Sequence, residues 1–238
     1  MKGTLHAVGV GPGDAELLTL KAARIIASGA VIAYPVGGDS GTSFARRIVA
    51  DLIPHGAREI GFSVPMRVER EPAARAYDEA ANEIAAVLDG GRDVALLCEG
   101  DPFFYGSAMY LVDRLSGRYR CDIVPGITSL TACAAVIGRP LAARNERLKI
   151  LPAPLAEATL EAELADTEAA AIIKVGRHFE KIHSILQRLK LDKTALIIES
   201  ATGADQKITP LNAVAAGERP YFSTILIYRG RERWGRDA

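Results

Sequence analysis

Short apolar runs alternate with longer, partly polar segments along the first half of the chain. The run at residues 94–98 is continuous and lies between turn-forming residues, which predicts an interior β-strand. Strands that alternate with helices predict a parallel, doubly wound sheet. The other predicted strands are at 4–10, 31–34, 59–62 and 121–124, and the predicted helices are at 17–27, 43–52, 73–88 and 107–115, the last with Ser107 as its cap.

The second half of the chain shows the same alternation with looser spacing. Its predicted strands are at 148–151, 170–175, 194–199 and 223–228, and its predicted helices are at 129–137, 156–164, 179–189 and 211–216. We therefore predict an α/β fold made of two α/β domains with a ligand cleft between them. The predicted domains are a parallel-sheet domain at residues 1–120 and a mixed-sheet domain at residues 121–238.

Three loops that follow predicted strands carry the candidate chemistry. They are Gly9-Val-Gly-Pro-Gly-Asp14, Glu99-Gly-Asp-Pro-Phe-Phe-Tyr-Gly106 and Pro125-Gly-Ile-Thr-Ser129. Open α/β sheets bind ligands at the carboxyl ends of their strands, so each loop is a candidate part of a site. A local interpretation stays open beside this one, because Asp101 also fits the start of a turn and Thr128 and Ser129 also fit helix caps.

The composition is that of an ordinary globular protein, and it narrows the range of partners. The chain has 238 residues, 49% of them hydrophobic, and a formal net charge of zero, so we expect no nucleic-acid partner. The apolar runs are too short or too interrupted to cross a bilayer, and the first residues lack a signal-peptide core. We expect a cytoplasmic protein without a membrane partner. The three cysteines and four histidines are scattered, which predicts buried thiols and no metal bound by the protein.

The first glycine loop superficially resembles a dinucleotide fingerprint, and this leaves a nicotinamide or flavin oxidoreductase as an alternative. However, the spacing is GxGxG with Pro12 inside. The acidic residue expected about 20 residues later for a ribose hydroxyl is also missing. The same glycines fit a tight turn between a strand and a helix, where they let the backbone turn sharply.

Taken together, the three loops and Ser200-Ala-Thr202 at a later strand end resemble the tetrapyrrole methylase family, with the motifs in the same order and spacing over nearly the whole chain. The resemblance implies two α/β domains and an S-adenosyl-L-methionine-dependent methyltransferase that binds its methyl donor in the cleft between the domains. It also implies a homodimer. A non-enzymatic carrier of a tetrapyrrole or nucleotide stays open as a second alternative, since the same cleft could serve it.

Two stretches point, within this family, to the members that methylate C20 of precorrin-2 in cobalamin biosynthesis. They are residues 99–107 and residues 139–154. The relatives that act on cobalt-factor II share much of the pattern, so the sequence leaves a metal-free and a cobalt-containing tetrapyrrole substrate open.

The resemblance implies a set of cofactor-binding residues in several loops. In this sequence they are Pro12, Gly100, Asp101, Phe104, Tyr105, Thr128, Ser129, Val175, Ala201 and Thr224. Some relatives place an acid shortly after the second strand, where this chain has Tyr34 and Pro35. Tyr34 and Glu99 are therefore the candidate catalytic groups near the reacting carbon, with structural roles as the alternative.

The implied substrate carries carboxylates around its rim, which arginine binds well. The densest basic cluster near a motif contains Arg144 and Arg147, and Arg177 follows Gly176 at a strand end. These three arginines are the predicted substrate-binding residues. The alternative is that most of them are solvated surface charges.

Overall fold

The computed structural model describes residues 1–37, 41–63, 70–215 and 217–230. The chain divides into two units, residues 1–128 and 129–238. Each unit contains one five-stranded sheet, which confirms the predicted α/β class.

The first unit is a fully parallel sheet with the strand order β3-β2-β4-β1-β5. Its strands are β1 (Thr4–Gly9), β2 (Val31–Val36), β3 (Glu59–Ser63), β4 (Val94–Cys98) and β5 (Arg120–Val124). Its helices are α1 (Leu20–Ala27), α2 (Phe44–Ile48), α3 (Arg70–Asp89) and α4 (Ala108–Leu115), with short 3₁₀ helices at Ala15–Leu17 and Ala50–Leu52.

The central strand β4 is covered on both faces, which explains its continuous apolar run. All five of its residues are buried. Val94, Leu96 and Cys98 belong to the core that α3 and α4 cover, whereas Ala95 and Leu97 belong to the core that α1 and α2 cover. Because successive side chains of a strand point to opposite faces, a strand covered on both faces must be apolar at every position.

The second unit is a mixed sheet with the strand order β6-β7-β10-β8-β9. Strands β6 and β7 pair in parallel, and the other neighbours pair in antiparallel fashion. Its strands are β6 (Leu148–Pro152), β7 (Ala169–Ile173), β8 (Ala195–Glu199), β9 (Lys207–Pro210) and β10 (Ser223–Tyr228). Its helices are α5 (Ser129–Val136), α6 (Glu157–Ala165) and α7 (Phe179–Arg188), with 3₁₀ helices at Gly176–His178 and Leu211–Ala213.

The division between the units falls after Thr128 and not after residue 120, the boundary that the sequence predicts. The reason is the pairing of β5 with β1, which places residues 120–124 in the first sheet. A pattern of apolar residues marks β5 as a strand but does not reveal which sheet it joins, because the pairing is a long-range contact.

Two predicted helices are shorter in the structure, the first because a cap starts it later and the second because a non-helical residue breaks it. The predicted helix at 17–27 begins at Leu20, where the Thr19 hydroxyl accepts a hydrogen bond from the Ala22 amide at 3.1 Å. The predicted helix at 43–52 breaks at Val49, which has φ −109° and ψ 16°, into α2 and a 3₁₀ turn.

The predicted cap of α4 is only half right. Ser107 occupies the N-cap position of α4, but it makes no side-chain capping bond to that helix. Its side chain lies beside the Tyr77 phenol instead and lowers the pKa of that phenol, although burial raises the pKa by more.

Candidate functional site

Three loops of the first unit meet because their strands are adjacent and parallel. The order β4-β1-β5 places the carboxyl ends of these strands side by side. Beyond the strands, Gly11 and Gly100 form an isolated antiparallel bridge. The Gly100 N–H donates to the Gly11 carbonyl at 2.8 Å, and the Gly11 N–H donates to the Gly100 carbonyl at 3.3 Å. The predicted first and second motif loops are therefore joined through their backbones.

Two glycines, Gly9 and Gly126, allow these loops to touch. A Cβ atom added to Gly126 would lie 2.0 Å from the Gly100 carbonyl oxygen and 2.8 Å from the Gly9 Cα atom. A Cβ atom added to Gly9 would lie 2.6 Å from both the Gly100 oxygen and the Gly126 nitrogen. All of these neighbours are backbone atoms, which cannot move away cheaply. Close backbone packing therefore accounts for Gly9, without a phosphate ligand.

Asp101 links the second and third loops. One oxygen of its carboxylate accepts a hydrogen bond from the Phe103 N–H at 2.9 Å, which closes a turn. The other oxygen accepts a hydrogen bond from the Gly126 N–H at 3.0 Å. Asp101 thus starts a turn, as the local interpretation predicts, and it also fixes the loop that carries Thr128.

The aromatic residues of the second loop do not share one environment. Phe103 and Tyr105 are 53% and 43% exposed, whereas Phe104 is half-buried. The rings of Phe104 and Tyr105 meet edge to face, with centroids 5.1 Å apart. Tyr105 has φ +55°, a left-handed backbone conformation that residues other than glycine rarely adopt. Such strain concentrates at ligand sites, which makes Tyr105 a candidate for ligand contact on structural grounds.

Three other predicted cofactor residues lie close in the chain to the loops that meet. They are Pro12, Thr128 and Ser129. Pro12 directly follows Gly11 of the bridge and is half-buried. The Thr128 Cα atom would lie 3.9 Å from a Cβ atom on Gly100. Ser129 is the first residue of α5 and belongs to the second unit.

Glu99 is a partly buried carboxyl group at the carboxyl end of β4. Burial raises its pKa above the ordinary value of 4.5. Hydrogen bonds from the backbone N–H groups of Glu99 itself and of Ala45, in the first turn of α2, act in the opposite direction. The net effect is a carboxyl group that keeps its proton to a higher pH than an ordinary glutamate does.

Tyr34 belongs to a polar network on β2, β3 and α2. Arg46 holds Glu59 through two hydrogen bonds, from Nε at 2.7 Å and from Nη2 at 2.9 Å. These bonds lower the pKa of Glu59, and the Tyr34 phenol also bonds to Glu59. Burial and then the bond to Glu59 raise the pKa of Tyr34. The structure therefore gives Tyr34 structural partners, and its catalytic role stays a prediction.

Three predicted cofactor residues lie at one edge of the second sheet. Val175 follows β7, Ala201 follows β8 and Thr224 is near the start of β10, and all three are buried. Since β10 is antiparallel to both β7 and β8, these strand ends lie at the same edge. Lys174 and Ser200 in the adjoining loops have φ +58° and +48°.

Thr224 has a partner on α5. Its hydroxyl bonds the thiol of Cys133, and burial raises the pKa of that thiol to about 11. The side chain of Thr224 therefore lies beside α5.

The predicted substrate-binding arginines are not brought together. Arg177 is exposed and lies in the 3₁₀ helix after β7, at the same edge as Val175. Arg147 precedes β6, whose first residue pairs with the first residue of β7, so Arg147 lies at the opposite edge. Its guanidinium also pairs with Glu168 at 3.3 Å. Arg144 lies three residues earlier, with φ +48°.

Arg219 was not singled out by the sequence. It lies at the Val175 edge, where its N–H donates to the Gly176 carbonyl at 3.4 Å. It belongs to no motif, and its segment shows neither strand nor helix periodicity, so no local signal marks it.

The described residues, 1–37, 41–63, 70–215 and 217–230, form neither a metal cluster nor a membrane span. Within those ranges, no group of three or more histidine, cysteine, aspartate or glutamate side chains could hold a metal ion. Over the same ranges, no helix is both long and apolar enough to span a bilayer.

Sequence comparison finds relatives whose names refer to cobalamin biosynthesis or to a precorrin. It is 40% identical over 240 residues to the cobalamin biosynthesis protein CobIJ of Mycobacterium bovis, with 98% of this chain and 47% of that protein covered. The chain thus spans about half the length of that relative. It is 39% identical over 240 residues to the precorrin-2 C(20)-methyltransferase of a Sinorhizobium species, with 97% of both chains covered.

Structural and family comparisons agree with this. The fold is similar to that of uroporphyrin-III C-methyltransferase from Thermus thermophilus in complex with S-adenosylhomocysteine, with a TM-score of 0.68, 24% identity, and 95% of this chain and 97% of that chain covered. The model of the tetrapyrrole (corrin/porphyrin) methylase family matches residues 4–215. That match spans most of the chain and confirms the resemblance inferred from the loops, so the chain belongs to the tetrapyrrole (corrin/porphyrin) methylase family.

Proposed function

We propose that this chain transfers a methyl group from S-adenosylmethionine to C20 of precorrin-2, which gives precorrin-3A in cobalamin biosynthesis. The observation that carries this proposal is the 39% identity to the Sinorhizobium precorrin-2 C(20)-methyltransferase over 97% of both chains. Cobalt-factor II is the alternative substrate, because it presents the same ring edge and the same carboxylates. In that case the cobalt would arrive as part of the substrate.

The first unit offers groups that fit the methionine end of the donor. Gly100 and Asp101 supply backbone groups, and Thr128 supplies a hydroxyl. The half-buried ring of Phe104 and the exposed ring of Tyr105 supply apolar surface. A site for a sulfonium ion and an amino-acid head needs this combination of polar backbone groups and an apolar wall. When bound, S-adenosylmethionine supplies an electrophilic methyl group.

In the second unit, Val175, Ala201 and Thr224 are the proposed contacts of the adenine, since they lie at one sheet edge. All three are buried, so their backbone groups are the natural donors and acceptors for the base. Pro12 and Ser129 complete the proposed set.

Positioning is the main catalytic task that we assign to the chain. The C20 carbon of the reduced ring is already nucleophilic, so the reacting atoms need to be held roughly 3 to 3.5 Å apart and in line. Glu99 would accept or hold a proton near this centre, because burial favours its protonated form. Tyr34 is the second candidate, although its bond to Glu59 also explains its position.

Arg177 is the proposed principal contact for the substrate carboxylates. It is exposed at the Val175 edge, where its guanidinium can bind a carboxylate through two hydrogen bonds. Arg144 and Arg147 are weaker proposals, since Arg147 lies at the opposite edge of its sheet and already pairs with Glu168.

We propose a homodimer that works without nucleic-acid or membrane partners. The neutral overall charge supports the absence of a nucleic-acid partner. Sedimentation at several protein concentrations tests the dimer. A monomer at every concentration would contradict it.

The decisive experiment is to incubate the purified chain with methyl-labelled S-adenosylmethionine and, separately, precorrin-2 or cobalt-factor II. We expect the label at C20 of one product, located by NMR. A label at another carbon would contradict the proposal. Saturable binding of S-adenosylhomocysteine without turnover of either substrate would favour a carrier, and saturable dinucleotide binding would favour an oxidoreductase.

A further inference from the structure

Arg219 connects three segments at the Val175 edge of the second sheet. Its backbone N–H donates to the Gly176 carbonyl in the loop after β7 at 3.4 Å. Its guanidinium lies 3.9 Å from the carboxylate of Glu199, the last residue of β8. Along the chain, Arg219 shortly precedes β10, which begins at Ser223. These three segments carry Val175, Ala201 and Thr224.

The guanidinium of Arg219 is held firmly in this place. It lies over the ring of Phe179, with Cζ 4.7 Å from the ring centroid, and Phe179 is fully buried at the start of α7. The Nη2 atom donates to the Ala215 carbonyl. Only 16% of the Arg219 side chain and 12% of the Glu199 side chain is exposed. This is a desolvated pair, whose formation costs free energy that a surface ion pair does not.

One hydrogen-bond donor of Arg219 is buried without an acceptor, which is energetically unfavourable. The Nε atom of Arg219 is buried and has no hydrogen-bond partner among the described residues. A buried donor without a partner costs about 1–3 kcal/mol. A residue that only filled space over Phe179 could be apolar and would avoid this cost, so the presence of an arginine calls for a role beyond packing.

We propose that Arg219 is a positioning residue for the adenosine end of the methyl donor. Its guanidinium lies over Phe179, which follows the loop after β7, and reaches Glu199 at the end of β8. The side chain thus holds these two segments at a fixed separation, and they carry Val175 and Ala201. The inference rests on the proposed function, because it assumes that these residues bind the donor. In this role Arg219 acts on the donor through its neighbours and does not touch it, and its position belongs to no sequence motif.

The test is a double-mutant cycle in the full chain with Arg219→Met, Glu199→Gln and the double variant. The double variant removes both charges, keeps an apolar side chain over Phe179 and leaves no buried charge without its partner. Replacing a buried ion pair in this way is often neutral for stability. We therefore expect the double variant to have a melting temperature close to that of the wild type. Its dissociation constant for S-adenosylhomocysteine should rise roughly tenfold, because a site whose residues are held loosely binds its ligand less tightly.

Two further measurements separate positioning from a merely structural role. Binding of 5′-methylthioadenosine, which lacks the amino-acid head, should weaken by the same factor as binding of S-adenosylhomocysteine. In turnover, KM for S-adenosylmethionine should rise while KM for the tetrapyrrole stays unchanged. Arg188→Met is the matched control, since it removes an ion pair with Glu157 and Glu161 on the surface of the same unit. It should leave both affinities unchanged.

The possible failures can be told apart. If the wild type binds no S-adenosylhomocysteine, both the proposed function and this inference are overturned. If the wild type binds it and the double variant binds it equally well, only the role of Arg219 is overturned. A lower melting temperature with unchanged ligand affinity would assign Arg219 to stability alone.

Discussion

The carboxylate of Asp101 accepts a hydrogen bond from the backbone N–H of Gly126 at 3.0 Å, across 25 positions of sequence. The same carboxylate accepts a second bond from the Phe103 N–H at 2.9 Å. One side chain therefore fixes the loop after β4 and attaches it to the loop after β5. Because these loops carry most of the proposed methionine-end contacts, the geometry of that part of the site depends on this carboxylate as well as on the close backbone packing of Gly9, Gly100 and Gly126.

Asp101→Ala should weaken both the fold and the site. Loss of two hydrogen bonds to a charged acceptor should lower the free energy of unfolding by about 1–3 kcal/mol. The two loops should then separate, which should raise the dissociation constant for S-adenosylhomocysteine roughly tenfold. Denaturant unfolding and calorimetric titration measure the two effects. Asp113→Ala, which removes an exposed carboxylate from α4, is the control. Unchanged affinity in Asp101→Ala would place the methyl donor elsewhere.

Gly126→Ala should be one of the most damaging small substitutions in the first unit. The new Cβ atom would lie 2.0 Å from the Gly100 carbonyl oxygen, so one of the two loops must shift. We expect a loss of about 3 kcal/mol or more, or failure to fold. Gly117→Ala is the matched control, because no atom lies within 4 Å of its added Cβ. A Gly126→Ala variant as stable as Gly117→Ala would show that these loops do not pack closely in solution.

Glu99→Gln should reveal the raised pKa of Glu99 as a pH-dependent difference in stability. The folded chain holds the Glu99 proton more tightly than the unfolded chain does, because burial raises the folded-state pKa above 4.5. This contribution is complete below pH 4.5 and is lost as the pH rises through the folded-state pKa. The variant should therefore gain stability relative to the wild type as the pH rises from 4.5 through the folded-state pKa of Glu99. A difference that stays constant over this range, in parallel denaturant titrations, would argue against the shift.

Arg177 and Arg147 should differ in their effect on the substrate. Arg177→Ala should raise KM for the tetrapyrrole roughly tenfold, since it removes a charged hydrogen-bond donor at the Val175 edge. Arg177→Lys should be intermediate because lysine keeps the charge but not the two-bond geometry. Arg147→Ala removes a mostly exposed pair with Glu168 and should cost less than about 1 kcal/mol of stability, with KM unchanged. The reverse order of effects in steady-state kinetics would show that the substrate lies at the other edge.

Much of the fold could be predicted from local pattern. The apolar run of β4 predicts a strand buried on both faces, and both of its faces are covered by helices in the structure. Strand β9 could not be found in this way, since it is a four-residue edge strand with no buried residue and ends at Pro210. Its pairing with β8, and not its own composition, makes it a strand.

Part of the candidate site could be predicted from the sequence, and part could not. The loops at residues 9–14, 99–106 and 125–129 could be recognised from their glycines, acids and hydroxyls, and the family comparison confirms the resemblance. The sequence also suggested that Arg147 belongs with the site, because it is close in the chain to a motif. The register of β6 with β7 places it at the far edge, away from Val175.

By itself, then, the sequence determined most of the segments that form strands and helices, the loops that carry polar chemistry and the family to which the chain belongs. These properties depend on residue type and spacing over a few positions, where burial and capping act locally. Tertiary structure decided that β5 joins the first sheet, that Asp101 holds Gly126 and that Arg219 meets Glu199. Each of these is a contact between residues at least 20 positions apart. Strand pairing and backbone packing create such contacts, and no local pattern records them.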